Sequence, residues 1–342
     1  MIGIGVIGYG YWGPNLVRNF SEIPGARVVS VSDLRPERLT TLKTRYPAVK
    51  ITSDHRDLID DPEIDAIAVV TPVSSHYELA LRALRAGKHV FVEKPLAATS
   101  EQAIHLIDEA QRRKLVLMVD HTFVYTGAVR KIRELVAQNT LGEIYYYDSV
   151  RVNLGLFQHD VNVIWDLAVH DIAIMNYVLA ASPTDVSATG MSHVADEPEN
   201  IAYLTLFFQD RMIGHVHVNW LAPVKVRRTL IGGSQKMIVY DDLEPSDKIK
   251  IYDRGITVVN QVESVYQMLI SYRTGDMWAP KLDSTEALRT EVEHFLACIA
   301  SGEPPISGGE SGLAVVRILE AATRSMASRG QLVEVERGRP TS

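Results

Sequence analysis

The sequence has little of what several large classes of protein require. Cys298 is the only cysteine among 342 residues, which excludes an intramolecular disulfide and a thiolate metal cluster. The formal net charge is -7 and the pI is near 5.9, so the chain lacks the basic surface that nucleic acids and anionic membranes require. No apolar run reaches the ~18 residues of a membrane span, and the first residues lack the basic segment of a signal peptide. We therefore expect a cytoplasmic protein without a nucleic-acid or membrane partner.

The length and composition predict two folded domains. Hydrophobic residues make up 46% and charged residues 23% of the chain, which is ordinary for a globular protein and argues against disorder. A chain of 342 residues is long for one core. We expect it to fold throughout, as two domains.

A strand, a glycine-rich turn and a helix are predicted at the start of the chain. Ile2–Ile7 has the apolar pattern of a strand, and Pro14–Phe20 has helical spacing. Between them lies a Gly-x-Gly-x-x-Gly pattern. Its first glycine allows a tight turn, its second has no side chain to block a diphosphate, and its third allows the helix to pack closely on the strand. The phosphates would lie at the helix N-terminus. The turn residues predicted to contact the cofactor are Gly8, Gly10, Tyr11, Trp12 and Gly13.

Asp33 indicates which dinucleotide this turn would bind. It ends a second predicted strand, Arg27–Ser32, and follows Gly13 by twenty residues, where an acidic side chain accepts hydrogen bonds from the adenosine ribose. A carboxylate there also repels a 2′-phosphate. We therefore predict NAD as the cofactor and NADP as the less favoured one, although Arg35 and Arg38 can partly offset the repulsion.

Strands and helices continue to alternate, which predicts a doubly wound parallel sheet. Ile64–Val70 is predicted to form a strand that is followed by Thr71 and Pro72, and Ser74–Ala86 is predicted to form the next helix. Loops at this edge of such a sheet converge on the ligand, so Thr71 and Pro72 are predicted cofactor contacts. His76, in the first turn of the helix, either lines the nicotinamide site or packs in the core.

The next strand delivers charged residues to the same edge. Val90–Val92 is wholly apolar and runs directly into Glu93 and Lys94. Because ligand crevices of open α/β sheets lie at the carboxyl ends of strands, this acid and amine are predicted to serve binding or chemistry. The alternative is an ion pair on a surface turn.

A second candidate site lies in the middle of the chain. Ile164–Met175 is apolar all round, which predicts a buried helix. Asp166 and His170 are four residues apart, so they share one face and can address one ligand together. The alternative is a buried pair that only satisfies itself.

The second half of the chain predicts a sheet with little helix between its strands. His215, His217 and Asn219 alternate on one face, where subunit contact explains them better than a metal site, because no carboxylate shares the spacing. The predicted strands are Glu143–Val152, Ile201–Phe208, Arg211–Trp220, Val226–Ile231, Met237–Tyr240 and Lys248–Tyr252.

Several motifs occur together in the order and spacing of one family. The sequence resembles the glucose-fructose oxidoreductase, inositol dehydrogenase and MocA (Gfo/Idh/MocA) family, and the resemblance rests on Gly8-x-Gly10-x-x-Gly13, Thr71-Pro72 with His76, Ala86-Gly87-Lys88-His89-Val90 and Glu93-Lys94-Pro95. It implies an α/β protein in which residues 1–122 form an NAD-binding Rossmann domain. Residues 123–342 would form a substrate-binding and oligomerisation domain with a large, open, mostly antiparallel sheet, whose last helix packs back on the first domain. A homodimer or homotetramer through that sheet is expected.

The same resemblance implies a reaction and its residues. Lys94 would contact the reacting hydroxyl, and Asp166 and His170 would complete the catalytic group. The peptide bond before this proline is often cis in the family, so a cis Lys94–Pro95 bond is expected. The implied reaction is oxidation of a ring hydroxyl of a sugar, sugar nucleotide or cyclitol by NAD. His170 is the natural base because histidine titrates near neutral pH, but a desolvated lysine is a second candidate for the proton acceptor.

Two departures from the family pattern bear on the substrate. The arginine that many relatives carry after the sixth predicted strand, Leu115–Val119, is absent, and His121 and Tyr125 are expected to face the pocket. The glycine-rich lead-in before Asp166 is replaced by Asn162–Trp165, which alters the expected pocket shape.

The segment that contains Arg273 and Trp278 is similar to the corresponding segment of relatives that act on nucleotide-linked amino sugars. Arg273 would hold a diphosphate and Trp278 would stack on a base, unless the segment is an ordinary surface loop. The first candidate substrate is therefore UDP-N-acetylglucosamine, oxidised at its 3-position. The alternatives are an inositol dehydrogenase, a glycoside hydrolase that uses NAD as a transient redox relay, and a non-catalytic NAD sensor.

Overall fold

The computed structural model describes residues 1–155, 161–209, 211–258 and 270–336, so the last six residues of the predicted second domain lie outside the described part. The described residues form two compact units, Met1–Thr126 with Thr285–Glu320, and Gly127–Ser284 with residues 321–336. No helix in the described part of the chain is long and apolar enough to cross a membrane.

The first unit differs from the predicted first domain by containing a C-terminal stretch. We predicted one boundary after residue 122, with the last helix packing back on the first domain, whereas all of Thr285–Glu320 belongs to the first unit. The physical reason is aromatic packing, because the ring of Phe295 lies edge-on to those of Phe20 at 6.4 Å and Phe91 at 5.4 Å between centroids. A helix more than 150 residues distant from that core along the chain therefore completes it.

The first unit contains a parallel six-stranded sheet, as predicted. Its strands are β1 (Ile2–Ile7), β2 (Ala26–Ser32), β3 (Lys50–Thr52), β4 (Ala66–Val69), β5 (His89–Glu93) and β6 (Leu117–Asp120). Their order is β3-β2-β1-β4-β5-β6, and every neighbouring pair is parallel. The alternating helices are α1 (Gly13–Glu22), α2 (Pro36–Arg45), α3 (Arg56–Ile59), α4 (Val73–Arg85) and α5 (Ser100–Arg113).

The central strands form where the sequence is apolar on both faces. All residues of β4 are buried, and so is Val90–Val92 of β5, because a parallel sheet is covered on both sides. The helix α4 ends before Gly87, which adopts φ +80 and therefore suits the left-handed position after a helix.

The second unit contains a nine-stranded sheet that is mostly antiparallel, as predicted. Its members are β7 (Ile144–Leu154), β8 (Asp185–Met191), β9 (Ile201–Phe207), β10 (Ile213–Asn219), β11 (Leu221–Gly233), β12 (Met237–Asp241), β13 (Ile249–Tyr252), β16 (Met277–Trp278) and β17 (Val333–Glu334). Their order is β16-β13-β12-β11-β7-β10-β9-β8-β17, and among these described strands the β7–β10 pair is parallel. A separate antiparallel pair joins β14 (Gly255–Val258) to β15 (Ile270–Arg273).

The helices of the second half include the predicted buried one. Helix α6 is Gly127–Ala137 and α7 is Val169–Leu179. A π-helical turn, Ile164–Ala168, leads into α7, and the N–H of Val169 reaches back to the carbonyl of Ile164. Most of α7 is buried, which confirms the prediction for this stretch.

Two helices close the chain. They are α8 (Ala287–Ser301) and α9 (Gly309–Ala327). Helix α9 contributes residues up to Glu320 to the first unit and residues from Ala321 to the second.

Candidate functional site

Four loops of the first unit leave its sheet at the same edge. Because all six strands are parallel, the residues that follow β1, β4, β5 and β6 lie along one side of the sheet. These residues begin with Gly8, Val70, Lys94 and His121, respectively. The order of strands reverses between β1 and β4, and such a switch point is where open α/β sheets bind ligands.

The glycine turn has the geometry that a diphosphate requires. Gly8 adopts φ +100, and a Cβ there would lie 2.2 Å from the carbonyl oxygen of Val70. A Cβ on Gly13 would lie 2.6 Å from the carbonyl oxygen of Gly8, so helix and turn meet without a side chain. Among the described residues, a Cβ on Gly10 would meet the flexible guanidinium of Arg38, at 3.3 Å. The turn therefore fits the dinucleotide predicted from the sequence.

Asp33 supports this turn through its carboxylate. One oxygen, Oδ2, accepts a hydrogen bond from the backbone N–H of Tyr9 at 2.7 Å, and Oδ1 accepts one from that of Arg35 at 2.8 Å. Arg38 Nη1 lies 3.4 Å from Oδ2. A carboxylate has about four acceptor positions, so one remains for a ribose hydroxyl.

Replacing Asp33 by Ser should shift the preference between the two dinucleotides. If Asp33 has its predicted role, loss of the carboxylate removes a charge-assisted hydrogen bond to the ribose and the repulsion of a 2′-phosphate, so the ratio of NADPH to NADH dissociation constants should fall at least about tenfold. Fluorescence titration of each cofactor measures it, with Glu37→Ser on the exposed first turn of α2 as the control. An unchanged ratio would contradict the ribose contact.

Other predicted cofactor contacts lie around the turn. Tyr11 is 85% exposed, whereas Trp12 donates its indole N–H to Asp120 Oδ2 at 2.7 Å. Pro72 is exposed, and the hydroxyl of Thr71 lies 2.7 Å from that of Ser75.

His76 joins the ends of two strands. Its side chain is buried, with Nδ1 2.8 Å from the carbonyl oxygen of Pro95 and Nε2 2.7 Å from that of Thr71. The ring nitrogens thus face protein backbone. This geometry gives His76 a positioning role for the loops after β4 and β5.

Lys94 and its neighbours form the charged part of the edge. Glu93 and Lys94 are half-buried at the end of β5, and the Lys94–Pro95 bond is cis, as the resemblance implied. Burial, and then the charge of Lys94, lower the pKa of His121 to about 4, so its ring is neutral at pH 7. His121 is 2% exposed, and its ring nitrogens make no hydrogen bond within the described part of the chain.

The side chain of Tyr125 contacts other residues of the first unit through both its hydroxyl and its ring. Its hydroxyl lies 2.9 Å from Ser307 Oγ, and its ring packs against that of His294 at 5.7 Å between centroids. Burial raises the pKa of Tyr125, so the phenol stays neutral. The predicted substrate contact therefore has its polar atom already bonded to protein.

In the second unit, Asp166 and His170 occupy the start of the buried helix. Both are half-buried; Asp166 lies in the π-helical turn and His170 in the first turn of α7. Trp220 donates its indole N–H to Asp166 Oδ2 at 3.0 Å, which fixes the carboxylate. This partner was not predicted, because it lies 54 residues away along the chain.

A buried ion pair, also unpredicted, anchors this helix to the sheet. Arg151 of β7 donates from Nε to Asp171 Oδ2 at 2.7 Å, and both side chains are less than 5% exposed. Ser149 adds a hydrogen bond to Asp171 Oδ1 at 2.6 Å. Because Asp171 directly follows His170, the pair holds the turn that carries the histidine. An arginine between two valines, Val150 and Val152, in a predicted strand was the available sequence signal.

The predicted diphosphate contact, Arg273, is already paired. Its guanidinium forms an ion pair with Asp253 and donates to the carbonyl oxygen of Gln235. Trp278 is 40% exposed.

On the sheet of the second unit, the ring of Tyr203 stacks on that of His217 at 4.4 Å between centroids. The described residues contain no cluster of three or more His, Cys, Asp or Glu side chains that could hold a metal ion.

The fold and the turn define the class of protein. A parallel sheet, a glycine turn at its switch point and an acid after β2 are the features of a dinucleotide-binding Rossmann domain. Residues 2–121 match a family described as an oxidoreductase family with an NAD-binding Rossmann fold, and residues 129–239 match the GFO/IDH/MocA C-terminal domain. The chain belongs to the Gfo/Idh/MocA family of NAD-dependent oxidoreductases.

Relatives in this family align with almost the complete chain. A UDP-N-acetylglucosamine 3-dehydrogenase from Acidithiobacillus ferrooxidans is 29% identical over 93% of this chain and 94% of its own. A myo-inositol 2-dehydrogenase from Thermotoga maritima is 26% identical over 94% and 96%. The solved structure of the A. ferrooxidans enzyme has a TM-score of 0.78 with 26% identity and covers 96% of this chain and 99% of that one.

Proposed function

We propose that the protein oxidises a ring hydroxyl of a UDP-linked amino sugar, with the 3-hydroxyl of UDP-N-acetylglucosamine as the first candidate. The observation that carries this proposal is the 29% identity over 93% of the chain to a UDP-N-acetylglucosamine 3-dehydrogenase. NAD, when bound, supplies the acceptor for the hydride that leaves the carbinol carbon.

The proposed roles follow from the chemistry of each side chain. Lys94 donates from its ammonium group to the hydroxyl oxygen and stabilises the alkoxide that develops as the hydroxyl proton leaves; departure of the hydride then gives the ketone. His170 takes the hydroxyl proton, so that the products are a ketone, NADH and one proton. Asp166, held by Trp220, keeps His170 or Lys94 in orientation. A neutral His121 would add an uncharged hydrogen-bonding group for the substrate.

A cyclitol is the second candidate substrate, and one contact favours it. Arg273 already neutralises Asp253, which reduces its capacity to hold a diphosphate. A neutral cyclitol needs no such group. The 26% identity over 94% of the chain to a myo-inositol 2-dehydrogenase supports the same alternative.

A spectrophotometric screen separates these substrates. Purified protein is mixed with NAD or NADP and with UDP-sugars, free sugars or cyclitols, and absorbance at about 340 nm reports the reduced cofactor. We expect NADH to accumulate with UDP-N-acetylglucosamine and not in a Lys94→Ala control. Accumulation of NADH with inositols alone would favour a cyclitol dehydrogenase. Consumption of a glycoside without accumulation of NADH would favour the hydrolase. No reaction with any compound would contradict the proposal.

A further inference from the structure

A second carboxyl pair lies beside the glycine turn. Glu291, on α8, is completely buried, and its two oxygens accept no hydrogen bond from an N–H or hydroxyl donor in the described part of the chain. Thr122 gives its hydroxyl hydrogen to Asp120 Oδ1. The group left to share a hydrogen bond with Glu291 is therefore the carboxyl of Asp120. Two carboxylates cannot hydrogen-bond to each other, so one of the two carries a proton.

The contacts identify which carboxyl carries it. Asp120 Oδ2 accepts the indole N–H of Trp12 at 2.7 Å and Oδ1 accepts the hydroxyl of Thr122, and these hydrogen bonds oppose the burial that raises the pKa of Asp120. Glu291 also lies beside the Thr122 hydroxyl, but the one hydrogen of that hydroxyl goes to Asp120. Burial, followed by the charge of Asp120, raises the pKa of Glu291 well above its ordinary value, and the charge of Glu93 acts in the same direction. Glu291 is thus a neutral acid that donates to the Asp120 carboxylate.

We propose that Glu291 is a positioning residue for cofactor binding, which acts through Asp120 and Trp12 on the glycine turn. Trp12 is the N-cap residue of α1 and directly precedes Gly13. Its indole is fixed by the carboxylate that Glu291 holds in place. The chain of hydrogen bonds therefore fixes the residue from which α1 starts, at the end of the helix where a diphosphate would lie. The inference rests on the proposed function only in that NAD binds at this turn.

The loss of the donor should weaken cofactor binding without loss of the fold. Glu291→Leu removes the proton donor and should raise the NADH dissociation constant about tenfold, whereas Glu291→Gln retains an N–H donor and should restore binding to within about threefold. Trp12→Phe cuts the same chain at its other end and should reproduce the tenfold loss. Fluorescence titration of NADH without substrate measures all three.

A double-mutant cycle separates positioning from general destabilisation. If Glu291 acts through Trp12, Glu291→Leu should change the NADH dissociation constant less than about twofold in the Trp12→Phe background. The matched control is Glu109→Leu, which removes another buried carboxyl of the first unit, paired with Arg112 and Arg113. It should lower the urea midpoint and leave NADH affinity unchanged.

Each outcome of this experiment is decisive. Wild-type affinity in Trp12→Phe would overturn the inference, even if Glu291→Leu failed to fold. Equal losses in Glu291→Gln and Glu291→Leu would also overturn it, because the glutamine keeps the donor. A wild-type protein that binds no NADH would instead contradict the cofactor assignment on which the proposed function depends.

Discussion

Lys94→Ala is expected to reduce turnover by about 10³-fold or more and to leave the NADH dissociation constant within about threefold. The removal of one donor that stabilises a developing alkoxide typically costs about 10²–10³-fold, and a share in proton transfer adds to that loss. NADH binding, in contrast, is expected to depend on the glycine turn and on Asp33, whose carboxylate accepts the backbone N–H of Tyr9. Steady-state turnover and NADH titration measure the two quantities separately.

The controls test both the charge and the position of Lys94. Lys50→Ala removes an exposed lysine that pairs with Asp61 and Glu63, and it should leave turnover unchanged. Lys94→Arg keeps the positive charge but replaces a compact ammonium with a planar group, so it should restore only a small part of the activity. Substantial turnover in Lys94→Ala would show that the alkoxide is stabilised by another group.

The parallel sheet was predictable because its signals are local. Val90–Val92 and Ala66–Val69 are short apolar runs, and such runs become central strands when helices cover both faces. The glycine spacing likewise requires no distant partner, since Gly8 and Gly13 meet within one turn. For the same reason, Asp33 could be assigned from its distance to Gly13 in the chain.

Strand β8 was missed because its local signal is weak. Asp185–Met191 contains Ser, Ala, Thr and Gly, and only Val186 and Ala188 are buried. Pairing with β9 along its length stabilises it, and that pairing is tertiary. Propensity alone does not identify such a strand.

The hydrogen-bond partners of the site residues could not be predicted from the sequence either. Trp220 holds Asp166 from 54 residues away, and Trp12 reaches Asp120 across 108. A motif places a residue at a strand end, but it does not state where the polar atoms point. Tyr125 illustrates this, because its hydroxyl bonds to Ser307, 182 residues later.

Asp171→Leu is expected to lower the free energy of unfolding by about 3–5 kcal/mol. The substitution leaves the guanidinium of Arg151 buried beside an apolar side chain, and an uncompensated buried charge is costly. It also removes the acceptor of the Ser149 hydroxyl. Urea unfolding, followed by circular dichroism, gives the change in free energy.

The double variant Arg151→Met/Asp171→Leu distinguishes a missing partner from a damaged core. Replacing both members of a buried pair with apolar side chains of similar volume is often neutral, so most of the lost stability should return. If the double variant is no more stable than Asp171→Leu, the loss comes from packing and not from the unpaired charge. Since Asp171 directly follows His170, turnover of the refolded double variant then shows whether the ion pair is needed to orient the histidine or whether apolar packing of α7 suffices.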